Sequence, residues 1–401
     1  MVRQAFIHIG MEKTGTKSLQ DFLTTNAAVL QAKGYSYLCD EGRPYFQDVG
    51  HFPVAACFAA QCPEYVQTAK FRPAAEVLTE LRRDVEACEQ DIILSCEHFS
   101  SRLREAAPLQ AIREALANRR VRIVCYLRRQ DDFALAAYST AVLSGRRDRF
   151  DIEQVTPKHR FYNFYETLEL WAGVFGRDNV LVREYDRARL VGGDIRRDFL
   201  DLLGIEETGF RYGEDKNVSL SAQQVEALRL VNAFLPRFDE GGSDSYELAM
   251  TIRRMLIDHL PQGDPLAAML GPAQRRAIQQ AFAPSNARVM ASFAGCDFLA
   301  NWHRVQVPRR TRPLALTRDD LAGTIAKLGL LLAEAAAENA RLKTQLPAAE
   351  AELAGLRERL TSAPLAPTPR PAPAQPPTPI RVVRDFVLAV QRGLGRGDQA
   401  H

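Results

Sequence analysis

Apolar positions over the first 300 residues follow two alternating periods. Residues 4–10 form a short continuous apolar run ended by Gly10, which predicts a buried strand. Residues 15–33 then carry Leu19, Phe22, Leu23 and Leu30 at helical spacing. The alternation continues. A helix is predicted over 74–89, with Val77, Leu78, Leu81 and Val85 on one face, and a strand over 91–95. A helix over 109–118 precedes a strand over 121–127. A helix over 131–143 and an aromatic-faced helix over 161–175 follow. A strand over 180–182 leads to a helix over 194–203 closed by Gly204. Strands separated by helices imply right-handed βαβ units, hence an α/β fold: a three-layer sandwich around a central parallel sheet. From Ser219 to about Phe298 only helices are predicted, over 219–234, 246–259 and 272–293, as a helical extension on the sheet domain.

Beyond residue 316 the pattern changes. Residues 317–361 are rich in Ala, Leu and Glu, with Leu321, Ile325, Leu328 and Leu332 at helical spacing. Asn339, Leu342 and Leu346 continue it until Pro347 interrupts. Two readings stand: a coiled coil that joins copies of the chain, or a solvated helical arm. Residues 362–380 read as a semi-rigid linker, with eight prolines in the 16 residues from 364 to 379. Residues 381–396 predict a short amphipathic helix, Val382, Val383, Phe386, Val387 and Val390 opposing Arg381, Arg384 and Arg392. It is read as a weakly helical tail end, or as a weak contact with an anionic membrane surface through 381–394. The expected organisation is an α/β domain over 1–305, its extension at 219–298, then arm, linker and terminal helix.

Composition narrows the class. The chain has 401 residues, 46% hydrophobic and 25% charged, enough for a full core. Its net charge of +3 is small for that length and does not point to nucleic acid. Seven scattered cysteines without a Cys-x-x-Cys pair argue against a disulfide framework and for a reducing compartment. Neither they nor the seven histidines show metal-ligand spacing, so no metal is expected. The N-terminal apolar stretch is one strand long, unlike a signal peptide, and no run reaches the ~18 apolar residues of a membrane span. A cytoplasmic location is expected.

The candidate chemistry begins where the first strand ends. A strand, a glycine turn and a helix start make an anion site, because free N–H groups and the helix dipole face the ligand. Gly10 and Gly15 have the spacing of a Walker A loop, but Thr16 stands where its lysine belongs. Lys17 comes one residue late, which rotates it by about 100° on a helix. Lys13 sits inside the loop instead.

Lys13-Thr14-Gly15-Thr16 with Ser18-Leu19 resembles the K-x-G-T-[TS]-x-L signature of bacterial sulfotransferases, which have a P-loop NTPase-like fold. The resemblance covers about residues 4–300. It implies 3′-phosphoadenosine-5′-phosphosulfate as co-substrate, with no metal. It places the 5′-phosphate on the loop N–H groups and the hydroxyls of Thr16 and Ser18, with Lys13 by the departing oxygen. Lys17 stands where threonine is usual; its ammonium is read as a further phosphate ligand, or as pointing to solvent. After the strand over 121–127, Arg128 matches the family's 3′-phosphate arginine. Its partner serine is missing: eight residues on stands Ala136, with Ser139 a turn further as a substitute. An alternative reading makes Arg128 and Arg129 helix-start surface charges. Asn217, with Lys216 and Ser219, is a candidate for a loop that closes over the nucleotide, or an N-cap for the helix from Ser219.

A base is expected at the carboxyl edge of the sheet. Glu97 resembles the carboxylate of carbohydrate sulfotransferases, and His98 the histidine of small-molecule enzymes. On an extended chain neighbours point opposite ways, so one of the two faces substrate, with Glu97 favoured. His51 is a further candidate for substrate contact, or a loop histidine packing on Phe52, and His8 a core residue. The function implied is sulfuryl transfer to an acceptor hydroxyl, on a glycan. The alternatives are a P-loop kinase or NTPase, and a non-catalytic nucleotide-binding scaffold.

Overall fold

A computed structural model describes residues 2–304 apart from 64–65, 117 and 214–218, and beyond them 310, 314, 317, 323, 327, 341–342, 344–347 and 351. The chain divides into two compact units, Met1–Leu330 and Leu331–His401. In the second unit the described residues 341–342, 344–347 and 351 are helical, Pro347 among them. Most of the arm, and all of the linker and terminal helix, lie outside the described residues. Among the described residues no helix is long and apolar enough to cross a membrane.

In the first unit, Gln4–His8 (β1), Tyr35–Tyr37 (β2), Asp91–Ser95 (β3), Arg120–Leu127 (β4) and Val180–Glu184 (β5) form one sheet in the order β2-β3-β1-β4-β5. Every pairing is parallel. The interiors of β1, β3 and β4 are buried along their length, as a parallel sheet covered on both faces requires. The helices are Thr16–Thr25 (α1), Ala27–Ala32 (α2), Phe52–Ala56 (α3), Ala74–Ala87 (α4), His98–Arg102 (α5), Ala106–Ala115 (α6), Gln130–Leu143 (α7) and Phe164–Phe175 (α8). Ile195–Leu203 (α9), Ala222–Val231 (α10), Phe238–His259 (α11) and Pro272–Ser292 (α12) follow.

Handedness distributes these helices over the two faces. The crossover from β1 runs outward to β2 through α1 and α2. Those through α4, α6 and α8 run the opposite way along the sheet, so they cover the other face. Packing agrees: α6 touches α4 and α8, while α1 touches α9. The result is the expected three-layer α/β sandwich, with the exit from β1 diverging from those of β3 and β4. That divergence opens a crevice at the carboxyl edge. The predicted 15–33 helix is two helices broken at Asn26, whose side-chain amide donates to Phe22 and Arg211 carbonyls. The helix expected from Ser219 starts at Ala222, because Ser221 and Gln224 form a reciprocal capping box.

The extension docks through buried charge. Arg275 of α12 reaches Asp131 and, at 2.9 Å, Asp132 at the start of α7. Arg129 pairs with the same two carboxylates at 2.7 and 3.0 Å. Gln279 donates to Asp131 and Gln130 to Asn286. Arg275→Ala should lower the unfolding free energy by about 3 kcal/mol, the low end for a broken buried pair because Arg129 remains. Urea unfolding followed by tryptophan fluorescence reads this, and a loss below about 1 kcal/mol would show that α12 docks by apolar packing alone.

Candidate active site

The exits of β1, β3 and β4 meet in register. His8 lies opposite Ser95 on one side and Val124 on the other. Its Nδ1 is 2.8 Å from Ser95 Oγ. The ladder runs one step further, Ile9 N–H donating to Val124 and Cys96 N–H to the His8 carbonyl. Gly10 therefore arrives against Glu97. A Cβ on Gly10 would stand 2.8 Å from Thr16 Oγ1 and 3.2 Å from Glu97 Cα, and its φ of 48° is left-handed. Gly15, φ 75°, is the N-cap of α1 and passes as close to Tyr185. Between them Lys13 also takes a left-handed backbone, φ 65°, which costs a side-chain-bearing residue ~1 kcal/mol or more. The Thr14 hydroxyl donates to Met11 across the turn at 2.6 Å.

This loop has the groups with which to accept an anion. The first N–H groups of α1 have no intrahelical acceptors. Gly15 gives them no side-chain cap, and no acidic residue stands in the first turn. Thr16 is 4% exposed, and its hydroxyl has no hydrogen-bond partner. Burial lowers the Lys13 pKa, while Glu12 and Glu97 oppose the shift. Arg128 donates to the Lys13 carbonyl at 3.1 Å and lies 6.0 Å from the Tyr185 ring centroid. Arg129 turns away into its ion pairs with Asp131 and Asp132, so the two adjacent arginines serve different ends. Lys17 is exposed and Ser18 half-buried.

The chain is not extended at Glu97 and His98, as the expectation of opposite directions assumed. Glu97 has helical backbone, φ −67° and ψ −26°, at the start of α5, so the alternation of an extended chain does not apply. Its carboxylate does not cap that helix but accepts from Gln20 Nε2 at 3.0 Å. Burial raises its pKa, with Glu12 adding to the rise and Gln20 and Lys13 opposing it. His98 Nδ1 lies 3.8 Å from Glu12 Oε1. Glu12 thus stands beside Lys13, Glu97 and His98 together. Sequence reasoning passed over both Glu12 and Gln20. The signal for Gln20 was present: it stands four residues after Thr16, on the same face of α1.

His51 is fully buried, not presented to a substrate. It N-caps α3, accepts from Ser95 N–H at 3.2 Å and packs among Tyr37, Tyr45 and Phe46. Ser139 lies buried on α7, nine residues or about 14 Å along the helix from Gln130. Asn217 and Lys216 lie outside the described residues. Among the described residues no group of three or more His, Cys, Asp or Glu side chains is arranged to hold a metal. A groove of about 760 Å³ opens beside Glu12 and Lys13 and extends to Tyr138, Arg146, Phe161 and Tyr162.

No family model matches the chain. An uncharacterized protein of Archaeoglobus fulgidus is 35% identical over 112 residues, 28% of this chain and 30% of that protein. The match therefore spans less than a third of that relative's length. The crystal structure of a sulfotransferase from Alicyclobacillus acidocaldarius aligns with 76% of this chain and 100% of that one, at 16% identity and a TM-score of 0.39.

The two buried histidines make stability depend on pH. Burial pushes both His8 and His51 down to about 3 from 6.5. The unfolded chain then binds protons that the folded one refuses. Their contribution is intact above pH 6.5 and is lost as pH falls toward 3. His51→Gln should reduce the slope of unfolding free energy against pH between 6 and 4 by up to about 1.4 kcal/mol per unit. Identical slopes would mean that His51 charges without unfolding.

Proposed function

We propose that the chain is a sulfotransferase that moves a sulfuryl group from 3′-phosphoadenosine-5′-phosphosulfate to an acceptor hydroxyl, on a glycan. The observation that carries this reading is a phosphate loop whose lysine, Lys13, stands inside the turn beside a buried carboxylate, Glu97. The orphaned hydroxyl of Thr16 and the N–H groups of residues 14–18 fit the 5′-phosphate. Arg128, adjoining the loop, suits a second phosphate by bidentate contact once it exchanges its bond to the Lys13 carbonyl.

In this scheme Glu97 takes the proton of the acceptor hydroxyl. The hydroxyl oxygen forms a bond to sulfur as the bond from sulfur to the bridging oxygen breaks. The electron pair leaves with that oxygen, on the 5′-phosphate of 3′-phosphoadenosine-5′-phosphate. Lys13 stabilises the charge that develops there, and the loop supplies the in-line positioning on which group transfer depends. Burial makes Glu97 a stronger base than an ordinary carboxylate. His98 is the second candidate for the base, because Glu12 beside it would stabilise an imidazolium. The kinase reading needs a lysine after Gly15 directed at the phosphates, and the exposed Lys17 does not favour it.

Glu97→Gln should lower kcat by about 10²–10⁴-fold while leaving the dissociation constant of 3′-phosphoadenosine-5′-phosphate within about threefold. In the parent enzyme the acid limb of kcat/KM should lie above the ordinary carboxylate value of 4.5, since activity is lost as Glu97 protonates. Calorimetry and a labelled-donor assay read both. Turnover that survives in Glu97→Gln moves the base elsewhere, and ATP preference with magnesium dependence supports the kinase instead.

A further inference from the structure

The groove beside the loop is lined by charges of both signs, with Asp148 and Asp151 as well as the arginines. At one end stand Glu12, Lys13 and Arg102, with Glu97 acting on Glu12 and Lys13. Towards the other lie Arg146 and Arg149, after the end of α7. Among the described residues neither arginine makes an ion pair with a carboxylate. Arg146 lies with its guanidinium 5.4 Å from the Tyr138 ring centroid, and its buried Nε has no hydrogen-bond partner. Its backbone is fixed at both ends: the N–H donates to the Ala141 carbonyl at 2.8 Å, and the carbonyl accepts from Asn232 at 2.9 Å.

The acidic residues nearby are engaged elsewhere. Asp151 accepts the Glu153 N–H at 3.0 Å. Asp148 acts on Arg229, which does not line the groove. A concave site with low-dielectric walls and unpaired guanidinium groups concentrates anions, and planar guanidinium groups bind carboxylate or phosphate in bidentate fashion.

We propose that this groove receives an acceptor carrying an anionic group, carboxylate or phosphate, held by Arg146 and Arg149 while its hydroxyl lies at the Glu12 and Lys13 end. The identity of the reacting hydroxyl rests on the sulfotransferase reading; the anion site does not. Aromatic side chains of Phe161 and Tyr162 along the same wall suit the faces of sugar rings.

Calorimetry on the full chain tests this with three probes: a tetrasaccharide of alternating glucuronic acid and N-acetylglucosamine, the same tetrasaccharide with its carboxyls reduced, and a disaccharide bearing a phosphate monoester. One of the anionic probes should bind at least tenfold more tightly than the reduced one, and which of them does so separates carboxylate from phosphate. In R146Q/R149Q that preference should fall below threefold, and in R149Q, an exposed position, it should fall part of the way. Binding of 3′-phosphoadenosine-5′-phosphate should be unchanged in both variants, which also certifies their folding. Equal or absent binding of all probes, or a preference that survives in R146Q/R149Q, overturns the anion site. Failure of the parent chain to bind 3′-phosphoadenosine-5′-phosphate, with the anion preference intact, overturns the transferase reading instead.

Discussion

Everything in the site depends on how closely Gly10 passes Glu97 and Thr16. Parallel pairing of β1 with both β3 and β4 brings three strand ends to one edge in register. Ladder bonds on both sides of β1 continue through Ile9 and Cys96. With no side chain at residue 10, the loop turns inside the space that a Cβ would take, 2.8 Å from Thr16 Oγ1. The consequence is that one turn with free N–H groups, one lysine and one carboxylate share a volume that no single element could furnish. The His8–Ser95 contact beneath them is buried and polar, so it fixes the register that the turn inherits.

Charge is arranged around that turn in layers. Lys13 is flanked by two carboxylates, and burial and charge work against each other on it. Removal from water lowers its affinity for a proton, and Glu12 and Glu97 restore part of it. Burial raises the Glu97 pKa, with Glu12 adding to the rise and Gln20 and Lys13 opposing it. Further out, Arg129 and Arg275 neutralise Asp131 and Asp132 at the head of α7. Arg128, one residue before Arg129, is directed to the loop instead. The buried network thus fixes the helix that carries the exit of β4, and the extension through α12 contributes to the site by holding α7.

Much of this was legible in the residues themselves, and the exceptions have physical causes. Continuous apolar runs with helical stretches between them specify a covered parallel sheet, while strand order and register come from the folded chain. The Tyr-Ser-Tyr strand β2 and the five-residue helices α3 and α5 escaped notice because they are too short to establish a period. Glu97 was identified by its place at a strand end, but the alternation assumed for it and His98 does not apply, since the chain enters a helix there at once. His51 is a core residue because its loop folds inward onto β3, a contact 44 residues apart in the chain. Glu12 stands next to Lys13 in the sequence, yet its bearing on Glu97 and His98 exists only once β1 and β3 are paired. Spacing identified the residues of the loop; the groups that tune them come from tertiary structure.

The central claim is that this turn holds the 5′-phosphate of a bisphosphorylated nucleotide. A crystal structure of the chain with 3′-phosphoadenosine-5′-phosphate tests it most directly. The 5′-phosphate should lie against the N–H groups of residues 14–18, with Thr16 Oγ1 and Lys13 Nζ in hydrogen-bond contact and Arg128 turned from the Lys13 carbonyl to the 3′-phosphate. A phosphate seated away from this turn, or a nucleotide bound with the Thr16 hydroxyl still unpartnered, would contradict it.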